Sequence, residues 1–173
     1  MDELLSTTLD SPVGVLTLVA GGRGLRAVLW PDEPATRVVL PGTVPMGEAP
    51  TTSAAARVLV ETKRQLQEYF AGSRQRFDLA LDPVGTEFQL QVWQVLRVIP
   101  YGTTITYGEQ ASRLGDRNKS RAVGAANGRN PISIIVPCHR VVGSTGALTG
   151  FAGGIEAKSW LLRHEQGAAT LPI

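Results

Sequence analysis

Three short segments of alternating polar and apolar residues at the start of the chain constrain its fold most. They read LLSTTLD, VLTLVA and LRAVLW, and the turns SPVG and GGRG separate them. Alternation with a period of two is typical of a half-buried strand, and turns this short join neighbouring strands into hairpins. We therefore predict that the chain begins with an antiparallel β-sheet.

The remainder of the first half is predicted to contain a loop, a helix and one more strand. Residues 31–50 hold five of the eleven prolines, which indicates a loop or a linker-like excursion. Between residues 53 and 71, apolar side chains recur at steps of three and four, which predicts a helix that Gly72 ends. The segment FDLALD, residues 77–82, is predicted to be a strand.

Residues 83–85 are predicted to separate two domains, residues 1–85 and residues 86–173. Thr86 is expected to cap a helix whose apolar face ends at Pro100. Two shorter helices are predicted at about 107–114 and 118–127, with a glycine turn between them. This outline fits a helix-turn-helix, and a plain helical hairpin within a core is the alternative.

The charge balance differs between these two parts. Residues 1–85 hold eight basic and ten acidic residues, whereas residues 86–173 hold nine basic and five acidic ones. A basic half favours a polyanion as partner, although this excess is common among globular domains. The second short helix carries Arg121 among small residues. Because its side chains are small, such a helix can lie close to a narrow minor groove or to another helix. It lacks the long polar side chains that read bases in the major groove.

One cysteine and two histidines in 173 residues limit the chemistry that the chain can perform. They exclude an internal disulfide framework and a zinc site built on several thiolates. No apolar run approaches the ~18 residues that a membrane span needs, and MDELLSTTLD lacks the features of a secretory signal. We therefore expect a soluble, cytosolic protein without a bound metal.

The single cysteine, Cys138, follows an apolar run in the segment NPISIIVPCHRVVG. Residues 132–136 are predicted to form a buried strand that Pro137 ends. A cysteine in this position is most often an inert buried side chain. His139 and Arg140 favour a nucleophile instead, because basic neighbours lower the pKa of a thiol or accept its proton.

Geometry limits how Cys138 and His139 can cooperate. Adjacent side chains of an extended segment point to opposite faces, so a turn or a bridging water would be needed between them. A last amphipathic helix is predicted at about 155–165, and its Glu165 is a candidate for orienting the imidazole, as the acid does in a triad.

The segment VPCHRVVGSTGALTGFAGG resembles the active-site signature of the O6-alkylguanine-DNA alkyltransferases (methylated-DNA–protein-cysteine methyltransferases), whose core is Pro-Cys-His-Arg-Val. The segments IPYGTTITYGEQA, SRAVGAANGRNP and KSWLLRHE match in order and spacing, so the resemblance covers residues 86–166. The first half resembles the variable domain of this family only in its outline of strands and helix. The implied fold is α/β (α+β): a ribonuclease H-like roll with an antiparallel sheet, followed by a mostly helical domain of the winged helix-turn-helix kind.

The resemblance implies direct-reversal DNA repair. Cys138 would accept the alkyl group from O6 of guanine, and from O4 of thymine, in one irreversible step after base flipping. His139 would act as general base through a bound water, Glu165 would hold its tautomer, and Asn130 would tie the recognition helix to the cysteine segment. No cofactor is implied. The partner would be double-stranded DNA, bound through its minor groove by a monomer, with cooperative binding left open.

The resemblance also implies two sets of contacts with DNA. The residues that would contact the flipped guanine are Tyr107, Val141, Phe151, Ala152 and Gly153. Arg121 would fill the gap that the base leaves in the stack. The other DNA contacts would come from Thr106, Ala122, Gly124 and Ala125. Lys119 and Arg129 are close to Arg121 in the sequence, and we expect them to be phosphate partners.

Two residues depart from the family pattern, and three other functions fit the sequence less well. Phe151 stands where many members have Tyr and Ala152 where some have Ser, which leaves the preference for bulky adducts open. A cysteine hydrolase would need an acyl pocket that the sequence does not suggest. A sensor of alkylated bases would lack Cys138, and a transcriptional regulator of adaptive repair would carry additional cysteines and domains.

Overall fold

The computed structural model of the protein describes residues 3–48 and 52–167. The chain divides into two compact units, Met1–Val84 and Gly85–Ile173. Each unit buries its own set of apolar side chains, such as Leu16 and Leu59 in the first and Leu96 and Leu161 in the second. The two units are therefore described separately.

A four-stranded sheet forms the first unit. Its three long strands are β1 (Leu4–Ser11), β2 (Gly14–Gly21) and β3 (Gly24–Leu29), which pair in antiparallel fashion as the alternation predicts. A short fourth strand, β4 (Thr43–Pro45), pairs with β1 in parallel, so the strand order is β3-β2-β1-β4.

One long helix, α1 (Ala54–Phe70), packs against β1 and β2 of this sheet. The hydroxyl of Ser53 accepts a hydrogen bond from the backbone N–H of Ala56 at 3.1 Å, which is the usual way to begin a helix. Leu59 and Leu66 are fully buried on the face of α1 that covers the sheet. Each such side chain contributes about 1.5–3 kcal/mol to folding.

For the first unit, one prediction holds only in part and another is wrong. Residues 31–42 form a loop, as predicted. The proline-rich segment contains β4 and a 3₁₀ turn over Met46–Glu48, while its residues 49 and 50 lie outside the described part of the chain. Residues 77–82 form no strand and contribute only a single bridge to β3. The amide of Gln65 pairs with both backbone groups of Asp78, at 3.0 and 2.9 Å, and so replaces the partners that a neighbouring strand would supply.

The second unit begins with α2 (Glu87–Arg97). As predicted, Thr86 caps this helix, and its side chain and that of Gln89 form a reciprocal capping box. Trp93 lies on the buried face of α2 and donates its indole N–H to the carbonyl of Ala126 at 2.9 Å. This bond joins α2 to a later helix of the unit.

The two predicted short helices are α3 (Tyr107–Arg113) and α4 (Ser120–Gly128), with an additional 3₁₀ turn over Arg117–Lys119 before α4. The side-chain amides of Gln110 and Asn127 form two buried hydrogen bonds to each other, at 3.0 and 2.8 Å. Both amides are thereby satisfied, and the pair fixes α3 against α4.

The predicted strand at residues 132–136 is wrong in its conformation, although all of its residues are buried. The backbone turns instead: Val136 N–H donates to Ile132 at 3.0 Å, and Ile134 has a φ of +74°. After this segment come β6 (Val141–Val142), which pairs in parallel with β5 (Ile105–Thr106), and the predicted last helix, α5 (Ile155–Gln166).

These elements confirm the predicted fold class, a mixed α/β chain with an antiparallel sheet first and a mostly helical part after it. None of the helices in the described residues is long and apolar enough to cross a membrane.

Candidate active site

Cys138 lies at the start of a single 3₁₀ turn, Cys138–Arg140, directly after Pro137. Its side chain is almost buried, since the residue is 8% exposed. Cooperation between Cys138 and His139 needs a turn or a bridging water, and the chain makes a turn here. Consequently the cysteine segment does not have the extended geometry that a strand would impose.

His139 and Glu165 are in contact, as expected for a histidine oriented by an acid. The distance between His139 Nε2 and Glu165 Oε2 is 2.7 Å, and both side chains are buried. An ionised carboxylate can only accept hydrogen bonds, so the proton of this bond belongs to Nε2. The other ring nitrogen, Nδ1, is buried and has no hydrogen-bond partner among the described residues.

Arg140 holds the same carboxylate from its other side. Its Nε donates to Glu165 Oε1 at 2.8 Å, its Nη2 donates to Oε2 at 3.0 Å, and its Nη1 donates to the carbonyl of Ile99 at 2.7 Å. The N–H of Gly102 also donates to Oε1 at 3.2 Å. Gly102 has a φ of +77°, and a Cβ there would lie 3.2 Å from the Glu165 carbonyl oxygen, so glycine permits this close approach.

These contacts determine the protonation states of the pair. Burial acts to raise the pKa of Glu165, but hydrogen bonds and charges from His139 and Arg140 outweigh it and lower that pKa far below its ordinary value. Burial lowers the pKa of His139, and the hydrogen bond to Glu165 offsets this only in part. The pair at neutral pH is therefore a carboxylate and a neutral imidazole whose Nδ1 can accept a proton.

Asn130 connects the end of α4 to the cysteine segment. Its Nδ2 donates to the carbonyl of Val136 at 2.8 Å, and its Oδ1 accepts from the N–H of Ile132 at 3.0 Å. These bonds satisfy backbone groups at both ends of the turn at residues 132–136, which forms no strand. They explain why this apolar run is not a strand.

A second cluster lies around the ammonium group of Lys158 on α5. Its Nζ donates to the carbonyl of Thr149 at 3.1 Å and lies 5.8 Å from the ring centre of Tyr107 and 5.9 Å from that of Phe151. The hydroxyl of Thr149 donates to the hydroxyl of Tyr107 at 3.3 Å. The rings of Tyr107 and Phe151 therefore lie at similar distances from the same ammonium group.

Sequence reasoning missed two of these residues in different ways. It treated Arg140 only as a source of positive charge, because an extended segment would not direct both His139 and Arg140 toward one acid. It did not consider Lys158. The spacing of Lys158, Leu161 and Glu165 places them on one face of a helix, and that spacing was the available signal.

The candidate DNA-contacting residues occupy different surroundings. The exposed positions on or beside α4 are Lys119, Arg121, Ala122, Ala125 and Arg129. Gly124 is half-buried, and a Cβ there would be in ordinary contact with the Tyr107 ring at 3.8 Å. Thr106 caps α3 by accepting from Glu109 N–H at 3.1 Å. Val141 is buried in β6, and Ala152 and Gly153 are half-buried.

No group of three or more His, Cys, Asp or Glu side chains that could bind a metal occurs within residues 3–48 and 52–167.

Two family models match the chain. Residues 87–167 match the DNA-binding domain of 6-O-methylguanine DNA methyltransferase, and residues 4–83 match its ribonuclease-like domain. The methylated-DNA–protein-cysteine methyltransferase of Methanosarcina acetivorans is 45% identical over 156 residues, which cover 90% of this chain and 94% of that protein. The chain belongs to the methylated-DNA–protein-cysteine methyltransferase family.

Other members of the methylated-DNA–protein-cysteine methyltransferase family show the same extent of similarity. The protein of that name from Mycolicibacterium paratuberculosis is 45% identical over 168 residues, covering 95% of this chain and 96% of its own length. The crystal structure of Mycobacterium tuberculosis OGT in complex with DNA has a TM-score of 0.80 and 42% identity, and the match covers 95% of this chain and 92% of that chain. The similarity therefore extends over both units.

Proposed function

We propose that this protein is a DNA-repair methyltransferase that transfers the alkyl group from O6 of guanine in duplex DNA to its own Cys138. One observation carries the proposal. His139, in the same turn of chain as the only cysteine, forms a 2.7 Å hydrogen bond with Glu165 on α5. Family membership supports the substrate class. Residues 86–173 would form the DNA-binding and alkyl-transfer domain, and residues 1–85 would form a separate N-terminal domain.

The reaction follows from the protonation states of the site. The thiol proton of Cys138 passes through a water to His139 Nδ1, the ring nitrogen opposite the carboxylate. The thiolate then attacks the alkyl carbon in line, an S–C bond forms, and the C–O6 bond breaks as its electron pair returns to guanine. The Tyr107 hydroxyl donates a hydrogen bond to the leaving base and stabilises its negative charge. The base becomes neutral guanine by taking up one proton, which balances the proton that Cys138 gave to His139. His139 cannot hydrolyse the thioether, so each molecule reacts once.

The alkylated oxygen can reach a buried sulfur only if its nucleotide leaves the stack. Flipping costs a few kcal/mol, and we propose that the exposed Arg121 offsets part of this by entering the gap. The small exposed side chains of α4, at Ala122 and Ala125, would let the helix lie close to the minor groove without reading sequence. Phosphate contacts would come from Lys119 and Arg129.

The flipped guanine would contact the side chains and backbone at Tyr107, Val141, Phe151, Ala152 and Gly153. Asn130 would hold α4 and the cysteine segment in register, as its two bonds to Ile132 and Val136 indicate. Repair of O4-alkylthymine, a monomeric state in solution and a cytoplasmic location are further parts of the proposal.

Mass spectrometry tests the central step. Incubation of the protein with a duplex containing O6-methylguanine should add the mass of one CH2 unit, and a peptide map should locate it on Cys138. Cys138→Ala should retain DNA binding and gain no mass. Methyl transfer by that variant would refute Cys138 as acceptor, and repeated turnover of an ester by the unmodified protein would indicate a hydrolase instead.

A further inference from the structure

Lys158 is a buried cation for which the mechanism above has no use. The residue is 1% exposed, although lysine is rarely buried without a partner of opposite charge. Its ammonium makes one hydrogen bond, to the Thr149 carbonyl. Among the described residues, no carboxylate lies within ion-pair distance of Nζ. Glu165, on the same helix, pairs with His139 and Arg140 instead.

Helix α5, which carries Lys158, packs against the turn Cys138–Arg140. The hydrogen bond to Thr149 and the rings of Tyr107 and Phe151 hold the ammonium in place on that side of the helix. We propose that Lys158 is a positioning residue whose buried positive charge stabilises the Cys138 thiolate. Its relevance to alkyl transfer rests on the proposed function, but its effect on the sulfur does not.

Electrostatic coupling supports this assignment. Burial lowers the pKa of Lys158, and the charge of Cys138 acts in the opposite direction and raises it. Coupling between two groups is reciprocal, so an anion that favours the ammonium is itself favoured by it. A thiolate is the anion that would compensate this buried cation, which otherwise carries a large desolvation cost.

The other charged groups around Cys138 act through different contacts. Arg140 and Glu165 neutralise each other, and His139 is neutral because its pKa is lowered. The charge of Lys158 contributes to lowering the pKa of His139. Tyr107, on α3, faces the ammonium with its aromatic ring and brings no negative charge to it. Among the described residues, Lys158 is therefore the buried cation beside this turn that has no carboxylate partner.

Thiolate formation can be measured without DNA, because Cys138 is the only cysteine of the chain. The rate of alkylation by iodoacetamide, recorded against pH, gives the apparent pKa of this thiol directly. We would compare the unmodified protein with three variants: Lys158→Met, which removes the charge and the donor, Lys158→Gln, which removes only the charge, and Lys158→Arg, which keeps both.

We expect Lys158→Gln and Lys158→Met to shift the alkylation profile to higher pH and Lys158→Arg to restore it. For each unit of this shift, the thiolate fraction below the pKa falls about tenfold. Methyl transfer at neutral pH should fall in the same ratio and recover at higher pH. Thr149→Ala, which keeps the carbonyl that Lys158 contacts, is the control and should leave the iodoacetamide profile unchanged.

An unchanged iodoacetamide profile in folded Lys158→Gln would overturn the proposal, even if methyl transfer became slower. If Lys158→Met does not fold, the comparison of Lys158→Gln with Lys158→Arg decides the question. A shifted profile in a protein that transfers no methyl group from DNA would support the inference about the thiolate and refute the proposed function, so the two failures are distinguishable.

Discussion

Replacement of Glu165 by glutamine separates the structural role of this carboxylate from its role in transfer. The substitution keeps the shape of the side chain and removes its charge. The donors to the two carboxylate oxygens include the ring N–H of His139, two guanidinium N–H groups of Arg140 and the backbone N–H of Gly102. Because an amide offers one oxygen and one donor group, at least one of these donors would then face another donor.

The stability cost follows from the burial of Arg140. Its guanidinium stays charged and would lose a bidentate carboxylate partner at 2.8 and 3.0 Å, in a site that is almost fully shielded from water. Removing one partner of a buried ion pair costs about 3–5 kcal/mol. Transfer should slow by about 10²–10⁴-fold, because His139 loses the group that fixes its tautomer and supports its action as a base.

A double variant distinguishes these two effects. In Glu165→Gln with Arg140→Met the unpaired cation is absent, so most of the lost free energy of unfolding should return. The transfer rate should remain low, since His139 still lacks its carboxylate. The assays are urea denaturation and single-turnover transfer at saturating methylated duplex. A double variant that recovers rate together with stability would refute the role of Glu165 in transfer.

Three further predictions concern Arg121, His139 and metals. Arg121→Ala should slow transfer from saturating duplex while changing transfer from free O6-methylguanine much less, because a free base has no stack to leave; a loss confined to DNA affinity would make Arg121 only a phosphate contact. The pKa of His139 is lower in the folded protein than in the unfolded chain. As the pH falls, the unfolded chain therefore binds a proton at this residue before the folded protein does. Stability should therefore decline below about pH 6.5, by at most about 1.4 kcal/mol per pH unit, and His139→Gln should remove this contribution. A slope that is the same in the variant would contradict it. EDTA should leave transfer unchanged, and elemental analysis should find no stoichiometric zinc; activity lost on chelation and restored by zinc would exclude a metal-free mechanism.

Much of the fold was predictable because local chemistry and tertiary packing agree. Ser53 and Thr86 cap the helices where the sequence indicated, and the alternating segments pair as hairpins. Two predicted strands were wrong for a shared reason. Side-chain amides of Gln65 and Asn130 bind backbone groups that a strand would pair with its neighbour. Apolar composition reports burial, and it cannot show which polar partner the backbone finds.

The site was only partly predictable, since its contacts depend on a turn that the sequence did not reveal. The contact between His139 and Glu165 was a candidate on chemistry alone. The bidentate contact of Arg140 required knowing that residues 138–140 form a 3₁₀ turn against α5. The helical spacing of Lys158 with Leu161 and Glu165 places this lysine on the buried face of α5. A buried lysine needs a compensating anion, so this position was a signal that the sequence offered.

The buried charges of the second unit form a balanced set only when Cys138 is ionised. Arg140 and Lys158 are the buried cations around the turn, and Glu165 is the one buried carboxylate that accompanies them within the described residues. His139 is neutral, so a thiol at Cys138 would leave an uncompensated positive charge in a medium that solvates it poorly. A thiolate supplies the missing anion beside Lys158, and the imbalance is removed once the proton that His139 accepts has passed on to solvent. Burial makes an unpaired ammonium costly, and it therefore favours the thiolate form of Cys138, which can attack an alkyl carbon. The roles proposed for Cys138 and Lys158 thus depend on each other.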